Sequence, residues 1–397
     1  MKNFWIISQL FYPDETSTGY VMTKIAETLT NIGQVNVICG SSDYQSKNLS
    51  TKEKLNEKIN LFRIQTPSLD KNKLLNRVFV FFYFTISVFF KIIIRVKKEE
   101  TVVLVTNPPT LLFVVGLLKK VFKFKLIIIL QDIFPENAAA SGILKKKSVI
   151  YNFILKFVNF GYRQADKLIA CGEDMAQYFI SKGINSQKIS IIPNWADHKL
   201  IFPNLNIDRN EYFNIDLKGK IIIEFAGNIG RVQGLEIFLN LFGKIKNDKL
   251  VLLIIGDGAN KQIIEEHILD KNLKNVYLFN SKPRIEQNNF LNCCDIGLVT
   301  LCEGMFGLGV PSKVYNIMSA GKPILYIGDK KSEIDNYISK NNIGWSFDWS
   351  DENNIIEFLN NISEIKNLER IGYTARSFVL NNFTQEKVLS QYKEYLN

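Results

Sequence analysis

The sequence predicts an α/β protein of two successive domains, each built on a parallel sheet. Apolar runs of four to eight residues recur along the chain, bounded by turn residues and separated by helical patterns. These runs are almost continuously hydrophobic and do not alternate, as strands covered on both faces require. The 397 residues also exceed what one ordinary core organises, and divide naturally into two domains of about 200 residues.

Taken in order, the first half reads as strands at FWIISQL, VNVIC, TVVLVTN, KLIIILQD, KLIACG and KISIIPN. The opening MKNFWIISQLFYPDE reaches Pro13 and two acids after a short apolar run, so a buried strand is expected there and not a signal peptide. Val78–Phe90 is a run of 13 residues without a charge. It falls short of the roughly 20 apolar residues of a membrane span. It reads either as a core helix or as a monotopic helix whose aromatic face dips into a bilayer. Arg77, Lys91, Arg95, Lys97 and Lys98 flank it, and LLKKVFKFK and LKKK lie downstream. Residues 197–219 are polar, without helix or strand periodicity, and form the predicted linker. The second half supplies strands at KIIIEFAGN, KLVLLIIGDG, VYLFN, DIGLVTL, PILYIG and GWSFD. From Asp351 onward no strand-like run appears, and two or three helices are expected.

Charge is unevenly placed. Of the net +10, residues 1–200 carry 27 Lys and Arg against 15 Asp and Glu, while the remainder is slightly acidic. An anionic surface partner is therefore expected on the first half. The basic pI suggests nucleic acid as one such partner, but here the basic residues flank apolar helices instead of forming a stripe with exposed aromatics. The cysteines Cys39, Cys171, Cys293, Cys294 and Cys302 show no Cys-x-x-Cys spacing and read as buried free thiols of a reducing compartment. No Asp or His cluster has metal-ligand spacing, so no metal is expected.

Three strand–turn–helix passages carry candidate chemistry. In KIIIEFAGNIGRVQGLEIFLNLFGKI, Gly227, Gly230 and Gly234 lie between a strand end and a helix marked by Leu235, Phe238, Leu239, Phe242 and Ile245. Glycines there let backbone N–H groups approach an anion, and Arg231 adds a cation. LLIIGDGAN repeats the pattern with Gly256, Asp257 and Gly258. The third, CDIGLVTLCEGMFGLGVPSKVYNIMSAGKPILYIG, places Ser312 as an N-cap, a helix from about Lys313 to Ala320, and Gly321 as its stop. Lys313 in the first turn has the wrong sign for the helix dipole, which an anion sharing the site would explain. Asn316 lies one turn further on the same face.

GVPSKVYNIMSAGKPI resembles the donor motif of glycosyltransferase family 4, in its Pro-Ser-Lys variant seen in transferases of bacterial O-antigen, capsule or colanic-acid synthesis. FYPDETSTGYVMTKIAETLTNIGQVNVICG, TNPPTLL, QDIFPENAAASGI, IIPNWADHKLIFP, FAGNIGRVQGLE and LLIIGDG agree in the same order, and the first and fifth resemble the fucosamine-transferase type. The resemblance implies the GT-B fold: two Rossmann-like domains with parallel sheets facing across a cleft, and C-terminal helices crossing back. It divides the chain into an acceptor and membrane-facing domain at 1–198, a nucleotide-sugar domain at 199–380, and a returning helix at 381–397.

The activity so implied is retaining, metal-independent transfer of a sugar from a UDP-sugar to a polyprenyl-diphosphate-linked saccharide. The sugar would be an N-acetylated amino sugar or deoxysugar. The enzyme would work in the cytoplasm, peripherally on the anionic inner face of the cell membrane, with no cofactor and no nucleic-acid partner. The resemblance assigns the nucleotide-sugar to Gly227, Asn228, Gly230, Gln233, Gly256, Gly258, Leu308, Gly309, Val310, Ser312 and Asn316. The acceptor falls to Thr18, Gly19, Asp14, Glu136 and Asn194, and catalytic roles to Asp132, Arg231 and Lys313. Two family glutamates fall at Leu308 and Asn316, and the usual Arg and Lys of the donor loop at Asn228 and Gln233. Arg231 and Lys313 are the expected replacements for the lost cations. Two rivals share the fold: a UDP-sugar 2-epimerase, disfavoured by having only His198 and His267, and a scaffold without activity.

Overall fold

The structure, a computed structural model, describes residues 2–41, 54–67, 69 and 74–397. It divides into two compact units. Unit 1 comprises residues 1–193, 307–310 and 388–397, and unit 2 residues 194–306 and 311–387.

Unit 1 begins with β1 (Lys2–Ser8), α1 (Ser17–Leu29), β2 (Gly33–Gly40), β3 (Ile59–Ile64) and α2 (Leu74–Arg95). It continues through β4 (Thr101–Val105), α3 (Thr110–Phe122), β5 (Lys125–Ile129), α4 (Glu136–Ala140), α5 (Val149–Gln164), β6 (Lys167–Ala170), α6 (Glu173–Ser181) and β7 (Ile189–Ile191). Its sheet runs β3-β2-β1-β4-β5-β6-β7, parallel throughout, with Phe4 paired to both Val35 and Thr101. The central strands are fully buried at Phe4, Ile6, Val37, Val103 and Ile128, which accounts for their unbroken apolar sequence. Helices α3 and α5 cross with their backbones nearly touching. A Cβ on Gly161 would collide with the Leu112 carbonyl, and one on Gly116 would lie 3.1 Å from the Gly161 Cα, so glycine is required by space and not by dihedral angle.

Unit 2 opens with α7 (Arg209–Phe213), then β8 (Ile221–Ala226), α8 (Leu235–Phe242), β9 (Leu250–Ile255), α9 (Lys261–Asp270), β10 (Val276–Phe279), α10 (Gln287–Cys293) and β11 (Ile296–Thr300). It closes with α11 (Lys313–Ser319), β12 (Ile324–Ile327), α12 (Glu333–Asn341), β13 (Gly344–Phe347), α13 (Glu352–Asn361), α14 (Leu368–Asn382) and the start of α15 (Gln385–Leu396). The sheet order is β10-β9-β8-β11-β12-β13, again all parallel. Phe225, Phe238, Leu239, Ile254, Leu298 and Leu325 anchor its core with no exposure. The end of α15 groups with unit 1, where the Lys167 ammonium stands 4.0 Å from the Tyr395 ring centroid.

Several expectations need correction. The Val78–Phe90 run is part of a 22-residue helix, α2, because Lys91 and Arg95 are carried on its end instead of terminating it. By length and composition its stretch Leu75–Arg95 is long and apolar enough to cross a membrane, and only 28% of an 18-residue window in that stretch is buried. The predicted linker contains α7, whose N-cap Asp208 accepts from the N–H groups of Asn210 and Glu211. Ser312 precedes α11 but sits in helical dihedrals (φ −63°, ψ −20°) and makes no capping bond. All five cysteines are buried and outside any disulfide, as expected, and the Cys171 thiol donates to Leu130 O at 2.9 Å.

Candidate active site

In parallel sheets, ligands are taken up at the carboxyl ends of the strands, beside the point where strand order reverses. In unit 2 this point lies between β8 and β11. The loop after β8 starts at Gly227 with φ +134°, where a Cβ would come within 3.4 Å of Lys313 Cε and Nζ. Lys313 opens the helix that follows β11, so its side chain spans the reversal point and reaches the backbone beyond β8.

The Lys313 ammonium lies 3.2 Å from the Phe225 ring centroid, is shut off from solvent, and has no hydrogen-bond partner among the described residues. Burial pushes its pKa well below the usual lysine range. The Phe225 ring is a partial counterweight, about 0.5–2 kcal/mol in favour of the charged form. A buried cation without a counter-ion is costly, and an anion brought beside it removes that cost.

Backbone interlock fixes the neighbouring loops. Ile229 N donates to Asp257 O at 2.8 Å, joining the loops after β8 and β9. A Cβ on Gly256 would collide with the Gly227 carbonyl, and one on Gly258 would stand 2.6 Å from Asn228 Oδ1. Asn228 and Arg231 are exposed, Gly230 is half-buried, and Gln233 is buried with Oε1 unpartnered. The loop after β11 is strapped at three places. Cys302 N donates to Val232 O at 2.9 Å, and Trp349 Nε1 to Leu301 O at 2.6 Å. The Asp329 carboxylate, just past β12, accepts from Gly304 N (3.0 Å) and Phe306 N (2.6 Å). Asn316 is half-buried on α11, and Asn194 is buried at the start of the unit.

In unit 1 the reversal lies between β1 and β4. Beyond β1, Thr16 caps α1 by accepting from Gly19 N at 3.3 Å, and the buried Asp14 accepts from Thr16 N at 2.8 Å. A Cβ on Gly19 would sit 2.7 Å from the Asp14 carbonyl, while Thr18 is half-buried. Beyond β4, Thr106 Oγ1 accepts from the N–H groups of Gln131 (3.2 Å) and Asp132 (3.3 Å), which holds the exposed Asp132 at the end of β5. Glu136 is buried, hydrogen-bonded by the Tyr178 hydroxyl at 2.8 Å and ion-paired with Lys182. Asp14 and Glu136 are thus engaged in holding local structure, while desolvation raises the Asp132 carboxyl above the usual range, with Arg77 opposing.

Gly307–Val310 belong to unit 1, where Ile133 N donates to Leu308 O at 3.0 Å and Gly309 bridges Asp132, whereas Ser312 and Asn316 belong to unit 2. Phe225, Asp329 and Trp349 are parts of the site that sequence reading passed over. Asp329 did carry a signal, an acid directly after the apolar run PILYIG. The roles of Phe225 and Trp349 depend on pairings far apart in the chain.

Residues 208–378 match the family model for glycosyl transferases group 1, and residues 35–200 that for glycosyltransferase family 4. The chain is 33% identical over 391 residues to "Probable glycosyltransferase WbjE" of Pseudomonas aeruginosa, covering 97% of this chain and 95% of that protein. It belongs to glycosyltransferase family 4. This family 4 enzyme is also 24% identical over 258 residues to WcaI of Escherichia coli (strain K12), provisionally named a colanic acid biosynthesis glycosyl transferase, with 63% of each chain covered. Its fold is GT-B, shared with the crystal structure of Anabaena HepE in complex with UDP and glucose. That likeness has a TM-score of 0.74 at 13% identity and covers 100% of this chain and 99% of the other.

Proposed function

We propose that this family 4 glycosyltransferase takes a UDP-sugar as donor and transfers its sugar, with retained anomeric configuration, to a lipid-linked saccharide during assembly of a bacterial surface polysaccharide. The observation that carries the donor half is Lys313: a buried ammonium without a counter-ion, placed across the strand-order reversal of unit 2. A diphosphate supplies the missing charge. Exposed Arg231 and the amides of the Gly227–Gly230 loop add donors around it. The name of WbjE supports glycosyl transfer, the name of WcaI supports the pathway class, and the UDP in the HepE structure supports the donor class.

In the proposed reaction an acceptor hydroxyl bonds to the anomeric carbon as the bond to the β-phosphate oxygen breaks. The hydroxyl proton passes to the departing phosphate, so no separate general base is needed. Lys313 and Arg231, in place of a divalent cation, stabilise the charge on UDP as it leaves, and Asp132 orients the acceptor. The sugar proposed is an N-acetylated amino sugar or a deoxysugar. The acceptor is a polyprenyl diphosphate carrying a saccharide, presented at the inner membrane surface.

The test is transfer from a panel of UDP-, GDP- and dTDP-sugars to a short-chain polyprenyl-diphosphate saccharide, with the product anomer read by NMR and a parallel run in EDTA. Turnover of a UDP-sugar with retention, unchanged by EDTA, is expected. Inversion, EDTA sensitivity or preference for another nucleotide would overturn the corresponding part.

A further inference from the structure

The helices α2, α3 and α5 connect β3 to β4, β4 to β5 and β5 to β6, steps that all run the same way across the unit 1 sheet. Right-handed crossovers therefore put all three on one face of that sheet. Their inner sides are core, with Phe84, Val88 and Ile92 of α2 fully buried. Their outer sides are not polar. On α2, Phe79, Phe82, Ile86 and Phe90 follow one another at helical spacing and are 55%, 54%, 56% and 56% exposed. The stripe continues to Leu75 and Ile94, a length of about 30 Å at the rise of an α-helix. Val121 on α3 and Phe153 on α5 extend the exposed apolar surface to the two neighbouring helices. Single exposed apolar residues are ordinary, but a continuous area of this kind marks an interaction surface.

Charge identifies what covers it. No aspartate or glutamate occurs between Leu74 and Lys98, between Thr110 and Lys125, or between Ser141 and Arg163. Lysines stand at the margins instead: Lys97 and Lys98 after α2, Lys120 and Lys123 about the end of α3, and Lys145–Lys147 before α5, all exposed. A second copy docked by the same face would bring like charges together. An anionic bilayer meets both features at once.

We infer that α2, α3 and α5 form a membrane-docking face. Helix α2 lies in the plane of the interface with its aromatic stripe at the headgroup–acyl boundary, and the marginal lysines contact anionic headgroups. This deepens the proposal of a membrane-held acceptor and rests on it for its purpose, although the face can be tested without any sugar donor.

The experiment uses the full chain and vesicles of phosphatidylglycerol with phosphatidylethanolamine, against phosphatidylcholine alone. Co-sedimentation with the anionic vesicles is expected, weakened by roughly a hundredfold in a Phe79→Ser/Phe82→Ser/Ile86→Ser variant. A Lys145→Ala/Lys146→Ala/Lys147→Ala variant should bind less tightly and lose most of its salt dependence. Because these side chains are exposed, an unchanged thermal melt and an unchanged shift with UDP show that each variant is folded and that donor binding is a separate property. A Phe82→Trp probe should be quenched by lipids brominated near the headgroup. Failure of the wild type to bind anionic vesicles, or equal binding by the triple serine variant, overturns the inference. So does quenching only by bromines at the bilayer centre, which indicates a spanning helix. A dimer that ignores vesicles and is dissolved by the serine substitutions assigns the face to self-association instead.

Discussion

Replacing Lys313 with methionine should strengthen the free protein and weaken its grip on UDP, two effects of opposite sign from one side chain. In the free chain the substitution removes a buried amine that has no hydrogen-bond partner. Such a group costs about 1–3 kcal/mol, so the melting temperature of unit 2 should rise by roughly 2–10 °C. With UDP present, a charge-assisted contact is lost, about 1.5–3 kcal/mol or roughly 10–150-fold in affinity. Thermal melts with and without UDP read both quantities. The pH dependence follows from the direction of the shift. The folded amine has its pKa lowered by burial, so the folded chain binds fewer protons than the unfolded chain between the two values. Stability of the free wild type therefore rises with pH across that window and levels off above the ordinary lysine value near 10.4. The methionine variant should lack this slope. Within the same window UDP binding should draw in a proton, seen as a buffer-dependent heat in calorimetry. A variant that melts lower than wild type and keeps the full UDP shift would refute the placement of the diphosphate beside Lys313.

Glu224 offers a second test in the same unit. It is 1% exposed with neither carboxylate oxygen partnered among the described residues, and burial holds its carboxyl well above the usual range, with Lys322 opposing. The folded chain then keeps a proton that the unfolded chain releases, so stability falls as pH rises above the ordinary glutamate value. Glu224→Gln should flatten that decline in denaturant titrations run above the reference pKa of about 4.3, from about pH 5 to about pH 8. Asp329→Ala removes the acceptor for two loop amides, a loss of about 1.5–3 kcal/mol for bonds to a charged group. Faster hydrogen exchange at residues 303–306 and a raised KM for donor with little change in kcat are expected. Gly256→Ala forces a methyl into the Gly227 carbonyl, and should cost more than about 3 kcal/mol or prevent folding, as judged by soluble yield and circular dichroism.

Both sheets were legible because most of their central strands are dominated by apolar runs, and in unit 2 the run of β8 stands out even though Glu224 interrupts it. The exception, β3, is an edge strand whose INLFRI is broken by Asn60 and Arg63, both tolerated because only one neighbour covers it. Helix α2 was read too short because charges on the last turn looked like a boundary. In the candidate site, the oddity of a lysine in the first turn of α11 was visible in the sequence. What the lysine touches was not: Phe225 and Gly227 lie more than eighty residues away in the chain. The local partners of Asp14 and Glu136, a backbone amide and a tyrosine–lysine pair, leave no mark in local composition and so were not legible in the sequence.

The strap formed by Trp349 has a spectroscopic meaning. Its indole donates to the carbonyl of Leu301, at the root of the loop after β11, and its ring edge would lie 3.2 Å from a Cβ on Gly234, at the end of the loop after β8. Any rearrangement of either loop alters the dielectric and the hydrogen bond felt by that chromophore. Unit 2 thus carries an intrinsic optical reporter built into the loops after β8 and β11.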